Sequence, residues 1–585
     1  MPTLSLLQRL KERKLVQWAV AYLAGAWVLY EVTATVGGPW GLTEAFFRGL
    51  FVVLVIGFLV VLVLAWYHGE KGRQRVSGPE LLMVAALMVI AGGVLSVLPG
   101  RQGPDTSVAA KATDVDDYRP SIAVLPFHNR SGLEDDAYFT DGMHDQLITQ
   151  LTKISDLSVR GLTSVLMYRD SPKNLRQIGQ ELNARYIIEG GVQRAGEVVR
   201  ISVQLIGAAT DEHIWASTYD RPMSVENVLS IQTEIVGAVA DSVRAVVRPE
   251  EKTRIEAIPT TNLDAYELYL LGRNRWSTRS TETIREAIEY FEAAIDLDST
   301  FAMAFTGLAD AYQVLPWFDL TTEPLDVYEQ AKAAATRAYQ LDPRSGEARA
   351  SLGLISLLFE LDWVRAERHL AAAVDLAPGY PSAHHWYSNF LVSVGRFDEA
   401  VAECEKALSL DPKSNAVVWS CADRLQQAGR INESRTRYLQ AIGMEPKIPW
   451  AFQTFAVNLA IEEPTDPARA GRLLAEFTTL FGYPFPDRLA TVAEAIAETP
   501  EGQADAVAVL DDLVEETQLD MADLVFLYVY IAPPDIFFDV LEEAVDQRHF
   551  LVAFLPSLAH PLPGLRDDPR WEEFLTRIDY PGSVE

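Results

Sequence analysis

The chain has 585 residues, enough for about three to five domains at the usual size of 100–200 residues each. Apolar residues make up 49% and charged residues 22%, which allows buried cores and excludes a largely disordered chain. The net charge is −31, and so acidic a chain repels phosphate backbones, which excludes nucleic-acid binding through a broad basic face. The only cysteines are Cys404 and Cys421, too few for a disulfide-stapled fold or an all-cysteine metal site.

The first hundred residues differ in character from the rest of the chain. They hold eight Lys and Arg against five Asp and Glu, whereas the remaining 485 residues hold 42 against 76. Three apolar stretches, residues 16–36, 49–67 and 81–98, each have the length of about 17–25 residues that a helix needs to cross a membrane. The sequence therefore predicts that residues 1–98 form an anchor of three transmembrane helices in contact with the lipid bilayer.

The positive charges that flank these stretches predict their orientation. Four basic residues precede the first stretch, and three lie between the second and the third. Because positive charge stays on the cytoplasmic side, we expect a multi-pass bacterial inner-membrane protein with a cytoplasmic amino terminus and most of the chain in the periplasm. Residues 99–119, rich in Pro, Gly, Asp, Ser and Ala, are predicted to be a linker.

Residues 120–250 show the mixed pattern of a small α/β domain. Apolar runs at 121–127, 157–160, 186–192, 198–206 and 214–219 predict strands, with a hairpin turn at 194–197. Helical spacing predicts helices at 136–154, 174–182 and 225–247. Gly190 and Gly191 match no phosphate-binding loop, and their place inside a strand predicts a bulge.

The same segment resembles a known family. The strings PSIAVLPFHNRSG, YIIEGGVQRAGEVVRISVQLI and HIWASTYDR, which begin at Pro120, Tyr186 and His213, are similar to the TolB-like domain of bacterial envelope proteins. The resemblance implies a compact α/β module, with a partly parallel and partly antiparallel sheet, that stands beside a repeat domain. It implies no catalysis.

One group of side chains in this domain invites a chemical interpretation. Asp141, His144 and Asp145 stand at i, i+3 and i+4 of the first predicted helix, a spacing that could bind a metal ion or relay a proton. No second group of ligands accompanies them, and acidic residues are favourable near the amino end of a helix without any catalytic role. The structural interpretation is favoured, and no catalytic, cofactor-binding or metal-binding residue is predicted in the chain.

From residue 264 onward the chain repeats a pattern of about 34 residues. This pattern is typical of tetratricopeptide repeats, in which small residues allow two helices to cross closely. We predict an all-α superhelix over residues 264–484, with five clear copies and a degenerate sixth, followed by a helical continuation and a C-terminal cap over residues 485–585. The repeating positions are turn prolines (Pro343, Pro378, Pro412, Pro446), small residues twelve places earlier (Ala331, Ala366, Ala400, Ser434) and alanines five places earlier (Ala338, Ala373, Ala407, Ala441).

The predicted fold class is thus multidomain, with a three-helix transmembrane anchor, a small α/β TolB-like domain and an all-α tetratricopeptide superhelix. The first helix of each repeat lines a concave groove that can bind a peptide. No Lys or Arg occupies the groove-facing positions of these helices, so we expect a protein or peptide partner of cationic or neutral character. The alternative is that the groove-facing side chains are merely solvated. The predicted groove residues are Asp310, Gln313, His385, Asn389, Trp419, Asp423 and Gln426.

Two further features each allow two interpretations. Cys404 and Cys421 are predicted at inward positions of adjacent helices, where they could form a disulfide if their Cα atoms lie within about 7 Å or could serve as small apolar residues. An insertion at residues 315–325, which contains Trp317 and Phe318, is either a contact site or a locally packed loop.

The leading functional hypothesis is a non-enzymatic inner-membrane scaffold or adaptor that presents the α/β module and the repeat groove on the periplasmic side. The alternative is a transmembrane sensor that relays an external binding event to a cytoplasmic partner through the three helices. An enzyme would need a nucleophile with its base, or a metal constellation, and the sequence shows neither.

Overall fold

The computed structural model describes Leu54, Phe58 and residues 119–133, 136–278, 280–318, 322, 324–445, 447, 449–462, 467–481, 492, 500–516, 525–558 and 564–581. Contacts between Cα atoms divide the chain into two units, residues 1–115 and residues 116–585. Every helix and strand described below belongs to the second unit.

The membrane anchor of the predicted fold class is not retained. Across the residues that the structure describes, no helix combines the length and the apolar character that crossing a membrane requires. The fold class is therefore corrected to an α/β domain and a helical superhelix, and the multi-pass inner-membrane localisation is withdrawn with the anchor. Apart from Leu54 and Phe58, the three apolar stretches lie outside the described residues. The transmembrane sensor required those spans and is withdrawn with them.

A six-stranded mixed sheet forms the centre of the α/β domain. The main strand order is β3-β1-β4-β5-β6, and the short strand β2 also pairs with β4. The first four strands run parallel to one another, whereas β4, β5 and β6 form an antiparallel meander, so the predicted hairpin is confirmed. The strands are β1 (Ser121–Val124), β2 (His128–Asn129), β3 (Ser158–Val159), β4 (Tyr186–Ala195), β5 (Val198–Gly207) and β6 (Glu212–Pro222).

Two helices of this domain begin at side chains that cap them. Asn174 and Gln177 form a reciprocal capping box, and Ser224 accepts a hydrogen bond from the backbone N–H of Asn227. The predicted bulge at Gly190 and Gly191 is wrong, because both residues keep a regular register with β5 and the irregularity lies at Leu205. The helices are α1 (Ala137–Thr152), α2 (Leu162–Leu166), α3 (Leu175–Glu181), α4 (Val225–Val243) and α5 (Pro249–Ile255).

Six helix pairs follow in the described part of the chain, and each pair is one repeat copy. The first helices of copies three to six begin at Gly346, Pro381, Asn415 and Pro449, which reproduces the predicted spacing of 34–35 residues. The pairs are α6 (Leu263–Thr278) with α7 (Thr281–Leu297), α8 (Ala302–Val314) with α9 (Pro324–Leu341), α10 (Gly346–Leu358) with α11 (Trp363–Leu376), α12 (Pro381–Ser393) with α13 (Phe397–Leu410), α14 (Asn415–Gln427) with α15 (Ile431–Ile442), and α16 (Pro449–Glu462) with α17 (Pro467–Phe481).

Small residues set the distance between the paired helices, as the repeat pattern predicts. Ala331, Ala366, Ala400 and Ser434 are completely buried at the helix crossings. The first helices of the first two copies also carry a glycine at their contact with the Phe291 ring. A Cβ atom at either Gly272 or Gly307 would lie 2.6 Å from the Phe291 ring, so this ring fits between the first helices of both copies only because they carry glycine.

The C-terminal part of the chain folds back onto the repeats. Its described elements are α18 (Pro500–Glu516), α19 (Val525–Ile531), α20 (Pro534–Asp546), a 3₁₀ segment (Phe550–Ser557) and α21 (Pro569–Arg577). The 3₁₀ segment packs against α10 and α12. Trp317, which follows α8, joins this contact, because the Trp317 and Phe550 ring centroids lie 4.2 Å apart.

The two cysteines form a disulfide in this structure. Cys404 on α13 and Cys421 on α14 are both buried, and their Cα atoms lie 5.5 Å apart. The bridge joins the second helix of copy four to the first helix of copy five across 17 residues.

We predict that the double substitution of Cys404 and Cys421 by alanine lowers the free energy of unfolding by about 3 kcal/mol, because the bridge restricts the unfolded chain over a loop of this length. Thermal or urea unfolding with and without a reductant measures the change. The oxidised parent should lose stability when reductant is added, whereas the double variant should not respond. Equal sensitivity of the two proteins to reductant would contradict the bridge.

Candidate functional site: the inner face of the repeats

The α/β domain docks on the turns that connect consecutive repeat copies. The Arg160 guanidinium donates to the Ser409 carbonyl at 2.9 Å, and the backbone N–H of Gly161 donates to the Leu410 carbonyl at 2.7 Å. The Asp411 carboxylate accepts from both the backbone N–H and the hydroxyl of Ser164. The turn between α13 and α14 is thus bound to the α/β domain by backbone and side-chain hydrogen bonds.

A buried ion pair fastens the same domain to the first repeat. Asp145 on α1 accepts from Arg273 on α6 at 2.9 Å, and the two side chains are 7% and 15% exposed. Burial alone would lower the pKa of Arg273, but the Asp145 carboxylate raises it well above its usual value. The helices approach closely because α1 carries Gly142, where a Cβ atom would lie 2.7 Å from Leu270. Both charges are therefore held in a tightly packed contact.

The C-terminal segment covers the opposite edge of copies three and four. The Trp363 indole N–H donates to the Ile578 carbonyl at 2.8 Å, and the Tyr580 hydroxyl donates to the Ser393 carbonyl at 3.0 Å. These contacts lie at the junctions between the first and second helices of each copy, whereas the α/β domain occupies the junctions between copies. The repeats are therefore flanked on both edges by other parts of their own chain.

This packing decides which of the predicted groove residues are accessible. Asp310, Gln313 and Gln426 are buried, with exposures of 1%, 0% and 4%, and Asn389 is also buried. His385, Trp419 and Asp423 are partly exposed and lie on α12 and α14. The structure therefore separates the seven side chains into a buried set and a partly exposed set in copies four and five. We call the partly exposed set, His385, Trp419 and Asp423, the open end of the groove.

The same side chains form hydrogen bonds between the first helices of consecutive copies. His385 contacts the Ser420 hydroxyl at 2.7 Å, Arg424 donates to the Asn389 amide oxygen at 2.6 Å, and Trp419 donates to Thr454 at 2.9 Å. The two partners of each pair are 35 residues apart, so each bond joins one copy to the next. In copies two and three, Asp310 accepts from the Ser351 hydroxyl at 2.5 Å. Asp310, His385, Asn389 and Trp419 therefore belong to a polar ladder that joins neighbouring copies.

One residue of this ladder, Arg424, is not among the predicted groove residues. Arg424 is 5% exposed and donates to Asn389 and to the Asp423 carboxylate. Arg424 follows the groove-facing position of Asp423, and its guanidinium reaches both Asp423 and Asn389. A buried cation beside Asp423 reduces the negative charge there, so the expectation of a cationic partner is weakened.

The acidic and histidine group on α1 has structural partners. Asp141 pairs with Arg169 at 2.7 Å, and Asp145 pairs with Arg273. His144 is completely buried and contacts the Val124 carbonyl at 2.8 Å through Nε2, and burial lowers its pKa, so it is neutral. Within the described ranges, no group of three or more His, Cys, Asp or Glu side chains is placed to hold a metal ion.

Family comparisons cover two parts of the chain. A model for the second domain of HilA/YgeH-like transcriptional regulators matches residues 118–237, and a tetratricopeptide repeat model matches residues 357–425. The second match and the regular helix pairs show that the chain contains tetratricopeptide repeats. A curated protein of Rhizobium meliloti (strain 1021), named putative adenylate cyclase 3, is 30% identical over 250 residues, which are 42% of this chain and 41% of that protein. The chain thus spans about two fifths of the length of this curated relative.

Solved structures give weaker likenesses. YrrB, titled a TPR protein with an unusual peptide-binding site, is 20% identical with a TM-score of 0.23, covering 33% of this chain and 92% of its own. TTC0263, a TPR protein of Thermus thermophilus, is 22% identical with a TM-score of 0.25, covering 34% and 99%. Lipoprotein GNA1162 of Neisseria meningitidis is 16% identical with a TM-score of 0.17, covering 22% and 99%. Scores this low carry no functional argument.

We predict that Arg273→Gln destabilises the protein by about 3–5 kcal/mol, because it leaves the Asp145 carboxylate buried without a cation. Urea unfolding measures the loss. Arg275→Gln is the matched control, since the Arg275 and Glu286 side chains of its ion pair are 44% and 38% exposed. The double variant Asp145→Asn/Arg273→Gln should recover part of the stability. A loss in Arg273→Gln no larger than that in Arg275→Gln would contradict the importance of the buried pair.

We also predict that His369 makes the repeats sensitive to acid. The ring is 4% exposed and packs edge-on against Tyr339, and burial with help from Arg368, Arg349 and Arg365 lowers its pKa to about 4. An unfolded histidine titrates near pH 6.5, so the stabilisation by the neutral ring is complete above that pH and is lost as the pH falls towards 4.

The test is the unfolding midpoint of the parent and of His369→Phe between pH 7.5 and pH 4. The variant should lose less stability over this range, because it has no buried ring to protonate. His213→Phe, at an exposed histidine, should follow the parent. Identical pH profiles for the parent and His369→Phe would show that His369 contributes nothing to the acid response.

Proposed function

We propose that the chain is a non-enzymatic protein-interaction scaffold that binds a protein or peptide partner at the open end of the groove. The observation that carries the proposal is the placement of His385, Trp419 and Asp423. They are partly exposed on consecutive first helices, whereas the groove residues of copy two are buried. A partly exposed tryptophan on a rigid helical surface is the type of residue that contributes most to protein interfaces.

The polar ladder supports this proposal because it holds the side chains of the open end of the groove in fixed positions. Because Trp419 is bonded to Thr454 of the next copy and His385 to Ser420, these side chains are already ordered before a partner arrives. Ordered contact residues lose little conformational entropy on binding. For residues 120–250 we keep the resemblance to the TolB-like domain as part of the proposal, with the role of a module docked on the repeats that holds their turns in place.

The experiment uses the full chain as bait, with chemical crosslinking in cells of its source and quantitative mass spectrometry of the captured proteins. In the variant Trp419→Ala/Asp423→Asn, recovery of the specific partners should fall about tenfold or more, because a central tryptophan contributes about 2 kcal/mol or more to binding.

The matched control is Val364→Ala/Leu439→Ala, which changes two exposed apolar residues on second helices, 79% and 47% exposed. It should recover the same proteins as the parent, and the unfolding midpoint of each variant shows whether its repeats remain folded. If the Trp419→Ala/Asp423→Asn variant captures the same proteins in the same amounts as the parent, the open end of the groove is not the binding surface.

A further inference from the structure

The sheet of the α/β domain leaves part of one face open. Helix α4 packs on β5 and β6 and buries Val199, Ile201, Val203 and Leu205. Residues that alternate with these point to the other face, because successive side chains of a strand lie on opposite sides of the sheet. On that face, one row runs across four strands as His128, Gly191, Ser202 and Thr218, and a neighbouring row contains Gln193, Arg200 and Asp220.

Arg130 lies across this open face. Its backbone N–H donates to the Val192 carbonyl at 2.7 Å, which fixes its main chain beside β4. Its side chain runs over Gly191, where a Cβ atom would lie 2.5 Å from Nε. Glycine at position 191 therefore provides the space for the guanidinium. Among the described residues, this guanidinium has no ion pair and no hydrogen bond, although the chain as a whole has an excess of 31 negative charges.

A cavity of about 340 Å³ opens beside this guanidinium. Its lining contains two guanidinium groups and one carboxylate, together with hydroxyl and amide groups. The Arg200 guanidinium donates to Asp220 at 2.6 and 3.0 Å through Nε and Nη2, which leaves its other N–H groups available. The Ser202 and Thr218 hydroxyls lie 3.2 Å apart. The lining residues are Arg130, Gly191, Gln193, Arg200, Ser202, Thr218 and Asp220.

This set of donors suits an oxyanion with several oxygen atoms. A guanidinium binds phosphate or carboxylate through two parallel N–H groups. A carboxylate has only two oxygens, whereas a phosphate group can accept from Arg130 and also from hydroxyl or amide donors. The cavity is near the lower end of the range for small-molecule pockets, about 300–1,000 Å³, and is larger than a phosphate group alone, so it leaves room for an attached organic group. The Asp220 carboxylate can accept from a hydroxyl of such a group.

We propose that this cavity is a binding site for the phosphate group of a small phosphomonoester, with Arg130 as its principal ligand. Gly191 is a positioning residue, because it makes room for the Arg130 side chain. The site lies on the α/β domain and is independent of the groove proposed above for a protein partner. The site is a single charged pocket. It is therefore compatible with the absence of the broad basic face that nucleic-acid binding requires.

Isothermal titration calorimetry on the full chain tests the site with three probes at constant ionic strength: inorganic phosphate, glycerol 3-phosphate and acetate. Both phosphate probes should bind saturably, glycerol 3-phosphate more tightly, and acetate at least about tenfold more weakly than either. Arg130→Gln should weaken phosphate binding at least about tenfold. Gly191→Ala should also weaken it, because the added methyl group displaces the guanidinium without removing its charge.

Arg185→Gln, at an exposed arginine elsewhere on the domain, is the matched control and should bind both phosphate probes as the parent does. Unfolding midpoints of all variants show whether the domain remains folded, and the Arg130 side chain is exposed, so its removal should leave the fold intact. The proposal is overturned if the parent binds neither phosphate probe, if Arg130→Gln binds them as tightly as the parent, or if acetate binds equally well.

Discussion

The docking of the α/β domain on the turns between repeats is the contact on which the rest of the arrangement depends. At the turn that follows α13, Gly161 donates to the Leu410 carbonyl and Ser164 donates to the Asp411 carboxylate. The ion pair between Asp145 and Arg273 joins α1 to the first repeat. Backbone groups at the ends of helices need partners. Here another domain supplies some of those partners, so the turns are ordered by the same contacts that hold the domain in place.

This docking limits the part of the inner face of the repeats that a partner can reach. A superhelix without neighbours offers its concave surface to any extended peptide. In this chain the α/β domain and the C-terminal segment lie along the two edges. Among the buried polar groups, Asp310 accepts hydrogen bonds from both Gln313 and Ser351. Buried polar groups that are bonded specify one arrangement of their helices. The buried residues of the inner face therefore join neighbouring copies, and the binding surface proposed above is limited to the open end of the groove.

The parts of the fold that depend on local periodicity could be predicted from the sequence. Helix pairs, crossing alanines and the hairpin between β4 and β5 each follow from residues close together in the chain. Contacts between distant residues could not be predicted: Asp411 and Ser164 are 247 residues apart, and Trp363 and Ile578 are 215 apart. The predicted groove residues lie on first helices of the repeats, but periodicity carries no information on which segments cover them. Arg424 was missed for the same reason, since its partner Asn389 belongs to another copy.

The two proposed sites differ in the way their residues are prepared for binding. At the open end of the groove, the polar groups of Trp419 and His385 are already bonded, so a partner would gain mainly from the burial of apolar and aromatic surface. On the sheet, the Arg130 guanidinium is unpaired among the described residues, so an anion would add charge-assisted hydrogen bonds without breaking existing ones. Partner binding at the first site should therefore depend little on salt, whereas binding of an anion at the second should weaken as salt screens the guanidinium.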